Sequence, residues 1–385
     1  MPIQVAPENP GIAFYLTLFV AALVLALLGT PLARWVALKI GVVDAPSARK
    51  VHASPVPLLG GAAIYLAFTL ALLILSGWLL PFFVWQLAAI LLGATVLGLV
   101  GLVDDKYGLS PLLKFLGQLG VAYWLIISGV KIEVFRLDWL NILITLLWVV
   151  TITNAQNFLD NMDGLSGGVA AVASAFFFLI AYQSGQWLVA ALGATLAGAA
   201  AGFIYHNFGI IARQQHQQIF MGDSGSLFLG YLLAAMGIKL RFPNTDFVTW
   251  MVPVLVLGLP LFDITMVTIS RLRRGLPIMR GGKDHTSHRL VALGLSRREA
   301  VLVIYLICGA LGVAALIVTG ATVRDGYVVG GVVAVLAGWS LLRLEHVPLI
   351  NTNPKVEGHG KGLKKISNNN NKKEHTSDEA GSLHH

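Results

Sequence analysis

Two stretches of this chain keep carboxylates where an apolar sequence has little reason to hold them. The first is Asn154–Gly168, NAQNFLDNMDGLSGG, directly after the apolar run Leu140–Ile152. Asn154, Asn157, Asp160 and Asp163 recur every three residues. On a helix that spacing sets each polar group beside the last, in a slowly drifting stripe. A charge at a bilayer centre costs about 2.5–3.5 kcal/mol, and a helix cap needs only one Asp. Two carboxylates and two amides therefore point beyond capping. The second stretch, GLVDDKYGLSP at Gly101–Pro111, holds the adjacent pair Asp104 and Asp105. Neighbours on a helix point about 100° apart, so both serve one small site only if the helix ends there, as Gly108 and Pro111 suggest. Such a pair suits divalent-metal binding or proton handling. A solvated turn is the plainer alternative.

Three more clusters carry possible chemistry. Asp223 sits between Gly222 and Ser224–Gly225 in IFMGDSGSLFLG, Ile219–Gly230, at the start of an apolar helix. It reads equally as an N-cap or as a hard Mg2+ ligand whose small neighbours let phosphates approach. The long basic loop Ser270–Ala300 runs through Gly281, Gly282, Lys283, Asp284, His285, Ser287, His288 and Arg289. Its cationic donors and hydroxyls suit a diphosphate better than a metal. His285-x-x-His288 lacks the further ligands that zinc needs. The stretch RKVHASPVPLLGG, Arg49–Gly61, adds Arg49, Lys50 and His52, either as phosphate donors or as ordinary surface charge. Asp263, in GLPLFDITMV, is expected to support packing or a neighbouring functional group more than to ligate directly.

These residues need a scaffold, and composition fixes its class. Of 385 residues 56% are hydrophobic and 12% charged, with a mean hydropathy of +0.75. No soluble domain of this length is so apolar. The expected fold is an all-α polytopic bundle of eleven spans, near 12–30, 60–79, 82–102, 112–129, 138–157, 165–183, 186–204, 220–238, 248–270, 300–319 and 325–342. No cleavable signal is expected at the start. Loops on one side collect fifteen of the 27 Lys and Arg residues, and those on the other only Lys131, Arg136, Lys239, Arg241 and Arg324. The positive-inside rule then puts the N-terminus outside, the C-terminus in the cytoplasm and every unusual polar cluster on the cytoplasmic face. The net charge of +8 follows from this bias and does not call for nucleic acid. Cys308 is the single cysteine, so no intramolecular disulfide forms. Residues 1–345 read as the membrane domain and 346–385 as a polar cytoplasmic tail. Ser296 and Glu299 mark a capped helix start.

Taken together, GLVDDKYGLSP, NAQNFLDNMDGLSGG, FMGDSGSLFLG and the DHTSHRL loop resemble the polyprenyl-phosphate N-acetylhexosamine-1-phosphate transferases. The match runs in order from about Arg49 to Ala300. The resemblance implies a helical membrane enzyme of the bacterial cytoplasmic membrane that moves a sugar 1-phosphate from a UDP-sugar to a lipid phosphate and releases UMP. It implies Mg2+ as cofactor, with Mn2+ as a substitute. Matched residue by residue, it makes Asp223 the Mg2+ ligand and Asp104 and Asp105 the essential acidic pair. Asn157, Asp160 and Asp163 would line the nucleotide-sugar site. His285 and His288, with Arg289, would lie near the diphosphate, on a loop that Gly281 and Gly282 leave free to close. Lys50 and His52 fall in the family's basic first loop. Many relatives read His-x-His-His where this chain has His285-Thr286-Ser287-His288, which removes one imidazole. The PVPLLGG and DNMDGL forms look closer to the N-acetylglucosamine branch than to the branch using UDP-MurNAc-pentapeptide, which stays as the alternative. The rival class is a cation-coupled transporter. A homodimer is one compatible assembly.

Overall fold

In lipid every backbone polar group must be paired within its own segment, so long Leu, Ala and Val runs close into helices. The computed structural model describes residues 10–44, 55–75, 77, 80–208, 219–240, 248–279 and 281–348, all within the unit Met1–Ile350. In chain order these hold α1 Gly11–Ile40, the strand pair β1 Val43–Asp44 and β2 Val56–Pro57, and α2 Gly60–Leu75. Next come α3 Leu80–Tyr107, α4 Pro111–Ile127, α5 Asp138–Phe158, α6 Leu165–Gln183, α7 Trp187–Asn207 and α8 Gly222–Lys239. The last are α9 Met251–Val256, α10 Gly258–Arg273, α11 Thr286–Ala292, α12 Arg297–Gly320 and α13 Val323–Glu345. Among the described residues, seven helices (α1, α3, α5, α6, α7, α12 and α13) are long and apolar enough to cross a membrane. The expected polytopic helical architecture holds.

The core forms round α8. It is apolar around its whole circumference and is buried from Ser224 to Ile238, as a helix with no polar face must be. Helices α2, α3, α5 and α6 pack against it. Two of these crossings need glycine. A Cβ on Gly61 would lie 2.2 Å from the Gly225 nitrogen, and one on Gly101 would lie 2.4 Å from the Asp223 carbonyl. The backbones of α2 and α3 thus meet the first turn of α8 directly.

Four features depart from the sequence expectation. The run 248–270 is broken at Leu257, with φ −98° and ψ 18°, into α9 and α10. Pro260 has no N–H to give the Val256 carbonyl, so the helix cannot run on unchanged through this point. A seven-residue helix, α11, lies within the basic loop. The all-α expectation is amended by the short antiparallel pair in which Val43 faces Pro57 and Asp44 faces Val56. Finally α1 extends to Ile40 and passes through Pro31.

Pro31 explains a half-buried polar residue in the last turn of α7. Without an N–H, Pro31 leaves the Leu27 carbonyl four residues earlier unpaired. The His206 ring on α7 donates from Nε2 to that oxygen at 2.9 Å. His206→Ala is therefore expected to cost about 1–3 kcal/mol, the penalty for an orphaned carbonyl, read as a lower thermal midpoint in detergent. In a Pro31→Ala background the helix supplies its own N–H, and the same His206 change should cost little. Equal losses in both backgrounds would assign His206 another role.

Candidate active site

The two acidic stretches and Asp223 meet where the C-terminal ends of α3 and α5 approach the N-terminus of α8. Gly108, in the left-handed region at φ +70°, ends α3 three residues after the acidic pair. Ser110 then caps α4, and Pro111 occupies its first turn. This short reversal brings Lys114 back toward Asp104. Lys114 Nζ donates to Asp104 Oδ2 at 2.8 Å and to Asp223 Oδ2 at 2.8 Å. Asn157 Nδ2 donates to Asp223 Oδ1 at 2.9 Å, and also to Ser226 Oγ at 2.9 Å. The side chains of Lys114, Asp104 and Asp223 are 24%, 12% and 28% exposed, so the cluster is enclosed and yet reachable.

Asp104 and Asp105 diverge as adjacent helical residues must, and each has its own task. Asp104 Oδ1 accepts from the Leu109 N–H at 2.6 Å, while its other oxygen takes Lys114. Asp105 Oδ1 accepts from the Asp223 N–H at 2.8 Å and its Oδ2 from the Ser224 N–H at 3.1 Å. A carboxylate from α3 therefore caps the first turn of α8, where free N–H groups and the helix dipole favour an anion. Gly222, at φ +74°, leaves room for it: a Cβ there would lie 2.5 Å from Asp105 Oδ2.

The second polar group is the turn Leu159–Gly164. The expected stripe does not continue into it, because α5 stops at Phe158. Asn154 turns instead toward α4 and donates to Gln118 Oε1 at 2.6 Å. Of the stripe, Asn157 reaches Asp223, while Asp160 and Asp163 lie on the turn. Asp160 is exposed and within electrostatic range of Asp223, Asp105 and Asp163. The turn is pinned through one residue: the Gly164 N–H donates to Asn207 Oδ1 at 2.5 Å, and the Tyr305 hydroxyl donates to the Gly164 carbonyl at 2.5 Å. Asn207 Nδ2 also donates to the Ile219 carbonyl at 2.8 Å, tying the turn to the segment that leads into Asp223.

The histidine loop is fastened to α10 at three consecutive residues. Arg271 grips Asp284 with Nε at 2.9 Å and Nη2 at 2.8 Å, and Arg274 adds a third bond at 2.8 Å. Arg271 Nη1 also donates to the Ile278 carbonyl. Asp263, wholly buried, takes His285 Nδ1 at 2.8 Å and the Thr286 N–H at 2.7 Å. Ser287 Oγ donates to Asn161 Oδ1 at 2.6 Å, so the loop also touches the Leu159–Gly164 turn. The His285 ring meets the Phe158 ring edge-on at 5.8 Å, and Arg271 lies 5.6 Å above that ring. The end of α5 thus serves both groups: Asn157 reaches Asp223 and Phe158 reaches His285.

Charges in the loop are set by these contacts. Burial pushes the Asp284 carboxyl up, but the Arg271 hydrogen bond and charge outweigh it and hold it at about 2. Burial pulls His288 down, the neighbouring His285 adds to this, and the ring falls to about 4. His288 is therefore a neutral imidazole at pH 7. Arg289 also departs from expectation. It is 1% exposed and its guanidinium donates to the Asp284 carbonyl, Ser270 Oγ, the Leu344 carbonyl and Glu345. Its donors hold α11 to α10 and α13 in place of gripping a diphosphate.

Sequence reasoning missed Lys114, which entered only as one charge among many on its side. A signal was available: a cation in the first turn of a helix opposes the helix dipole and so calls for an anionic partner. Lys50 and His52 lie outside the described residues. The PVPLLGG stretch after them does have a visible task. Phe220 N donates to the Pro57 carbonyl at 2.8 Å, and Gly60 and Gly61 donate to the carbonyls of Phe220 and Met221, so it braces the approach to Asp223.

The His288 shift makes a pH prediction. Its folded value lies below the ordinary 6.5, so its share of stability is complete above pH 6.5 and is lost as pH falls through about 4. Asp284 contributes to this slope only below its ordinary 3.8. Histidine NMR should show His288 titrating near pH 4, and His288→Gln should flatten the fall in thermal midpoint between pH 6.5 and 4. A midpoint near 6.5 would place the ring in water.

Known proteins share much of this sequence. The family model described as glycosyl transferase family 4 matches residues 87–241, which include Asp104, Asp105, Lys114, Asn157, Asp160 and Asp223. A probable undecaprenyl-phosphate N-acetylglucosaminyl 1-phosphate transferase of Bacillus subtilis is 37% identical over 79% of this chain and 85% of its own length. A decaprenyl-phosphate N-acetylglucosaminephosphotransferase of Mycobacterium tuberculosis is 33% identical, covering 79% and 84%. The undecaprenyl-phosphate alpha-N-acetylglucosaminyl 1-phosphate transferase of Escherichia coli K12 is 28% identical, covering 71% and 76%. This chain belongs to the polyprenyl-phosphate N-acetylhexosamine-1-phosphate transferases, on their N-acetylglucosamine branch.

Proposed function

We propose that the protein transfers N-acetylglucosamine 1-phosphate from UDP-GlcNAc to a polyprenyl phosphate, with Mg2+ as cofactor and Mn2+ as a substitute. The observation that carries this reading is the cluster at the α8 N-terminus, where one lysine bridges Asp104 and Asp223. The names of the relatives, which act on undecaprenyl or decaprenyl phosphate, support the lipid acceptor. We read the chain as eleven crossings of the bacterial cytoplasmic membrane with the N-terminus outside. The site then faces the cytoplasm, and residues 346–385 form a separate polar tail.

In the reaction an oxygen of the lipid phosphate bonds to the phosphorus that bears the sugar. The bond from that phosphorus to the bridging oxygen of the diphosphate breaks, its electron pair stays on the bridging oxygen, and UMP departs. A phosphate monoester has a second pKa of about 6, so the nucleophile is already anionic at neutral pH and needs little help from a base. The acidic pair fits that need, since the oxygens of both Asp104 and Asp105 are engaged with backbone N–H groups or Lys114. The harder task is bringing one anion against another. Lys114 is a cation already in place for it, and the N-terminus of α8 adds its dipole.

The donor set also suits Mg2+, which takes hard oxygens from one or two carboxylates and completes its shell with water and substrate phosphate. Asp223 would hold the ion, oriented by Asn157 and by the cap from Asp105. When bound, Mg2+ would neutralise phosphate charge and align the two substrates. Asp160 and Asp163, on the pinned turn beside this cluster, would line the nucleotide-sugar pocket. His285 and His288 would face the diphosphate.

UMP release in detergent, with polyprenyl phosphate as acceptor, tests the reading. UDP-GlcNAc should outrun UDP-GalNAc and UDP-MurNAc-pentapeptide; preference for the pentapeptide donor would refute the branch. Flux into liposomes without UMP would instead identify a transporter. Asp223→Asn should lose orders of magnitude in turnover and its response to Mg2+ while eluting as folded protein. Lys114→Met removes a charged donor of a kind worth about 1.5–3 kcal/mol, so turnover should fall roughly ten- to hundredfold.

A further inference from the structure

Asp263 is 0% exposed, deep in α10, and both of its hydrogen bonds among the described residues go to the histidine loop. A buried carboxylate is costly unless it is paired and hydrogen-bonded. An apolar residue would fill the same space at no such cost, so packing does not account for it. The groups it meets are His285, through the ring, and Thr286, through its N–H. His285 is itself only 5% exposed. Phe158 closes one side of its ring edge-on, and His288 lies 5.8 Å away at a tilt of 47°. The charged groups within electrostatic range of it are Asp263 on α10 and Asp284 in the loop.

We infer that Asp263 is a positioning residue that fixes the His285 ring with its proton on Nδ1, leaving Nε2 as the nitrogen that meets substrate. A carboxylate accepts hydrogen bonds and does not donate them, so the 2.8 Å contact to Nδ1 requires a proton on that nitrogen. The Thr286 N–H on the other oxygen stops the carboxylate from rotating away. A fixed tautomer matters because only one ring nitrogen can face the phosphates, and the bond made by the other decides whether it arrives bare or protonated. What the ring then does rests on the transferase reading; its tautomer does not.

The test uses the full chain in detergent with 15N-histidine NMR, the His285 signal being the one lost in His285→Gln. Wild type should show His285 protonated on Nδ1 at pH 7.5. A bare Nδ1 with the proton on Nε2 would overturn the inference, whatever any variant does. Asp263→Asn can keep the Thr286 bond but must offer its amide N–H to Nδ1, so the proton should move to Nε2. Its kcat should fall about 10- to 100-fold, the loss common when the partner orienting a functional histidine is removed, with KM for UDP-GlcNAc changed less. Asp263→Glu should recover part of that kcat and the Nδ1 proton. In a His285→Gln background Asp263→Asn should cost no further activity. A lower kcat with an unchanged tautomer, or full additivity with His285→Gln, would reduce Asp263 to a structural role. Absence of UMP release in wild type would sink the transferase reading and leave the NMR result standing on its own.

Discussion

The pair of bonds that the Asp105 carboxylate accepts from the Asp223 and Ser224 N–H groups, in the first turn of α8, is the contact on which the site depends. Helix α8 is the buried centre of the bundle, and its open N-terminus would carry unpaired N–H groups into a low-dielectric space. Closing it with a carboxylate from α3 satisfies those groups and fixes Asp223, whose own N–H is one of the two donors. The cap forms only because the backbones of α3 and α8 touch, which Gly101 allows, and because Gly222 leaves the carboxylate room. Small residues near the acidic motifs are thus the geometric condition for the charges to meet.

That constraint divides the polar residues of the bundle by what they satisfy. His206 repairs a carbonyl freed by Pro31. Arg289 ties three elements together from a buried position, and Gln118 and Asn154 pair with each other. These groups are consumed within the protein. Lys114, Asp104 and Asp223 are also paired, yet each keeps part of its side chain open to solvent, and their partners are charges that a substrate phosphate or a cation can replace. Exposure combined with exchangeable partners separates a site from a brace.

Much of this was legible in sequence because the signals were periodic or compositional. Apolar runs gave the helices, Gly108 and Pro111 gave the end of α3 and start of α4, and Ser296 with Glu299 forms the expected capping box. What failed was direction. A basic residue reads the same in sequence whether it points to solvent or into the protein, so sequence alone suggests the diphosphate for Arg289 and gives Lys114 no task of its own. The every-third spacing of Asn154, Asn157, Asp160 and Asp163 suggested one continuous stripe, but a helix ends where its caps decide, and α5 stops at Phe158. Asp263 was read as a supporting group, and its loop contacts bear that out. Which group it supports depends on a contact across 22 residues of chain.

The histidine loop shows how a flexible sequence becomes a defined surface. Gly281 and Gly282 suggest mobility, and the basic residues alone would leave a solvated strand. Arg271 and Asp263 on α10, with Arg274 just past its end, convert it into a fixed edge by holding Asp284, His285 and Thr286 in succession. On the glycine side of Asp284, Lys283 is exposed. A loop built this way can present an exposed cation while its imidazoles stay in register with the end of α5. The ion pairs that anchor it lie inside the protein, where they are screened by salt far less than surface charges are, so the register should outlast changes in ionic strength that weaken the outer basic residues.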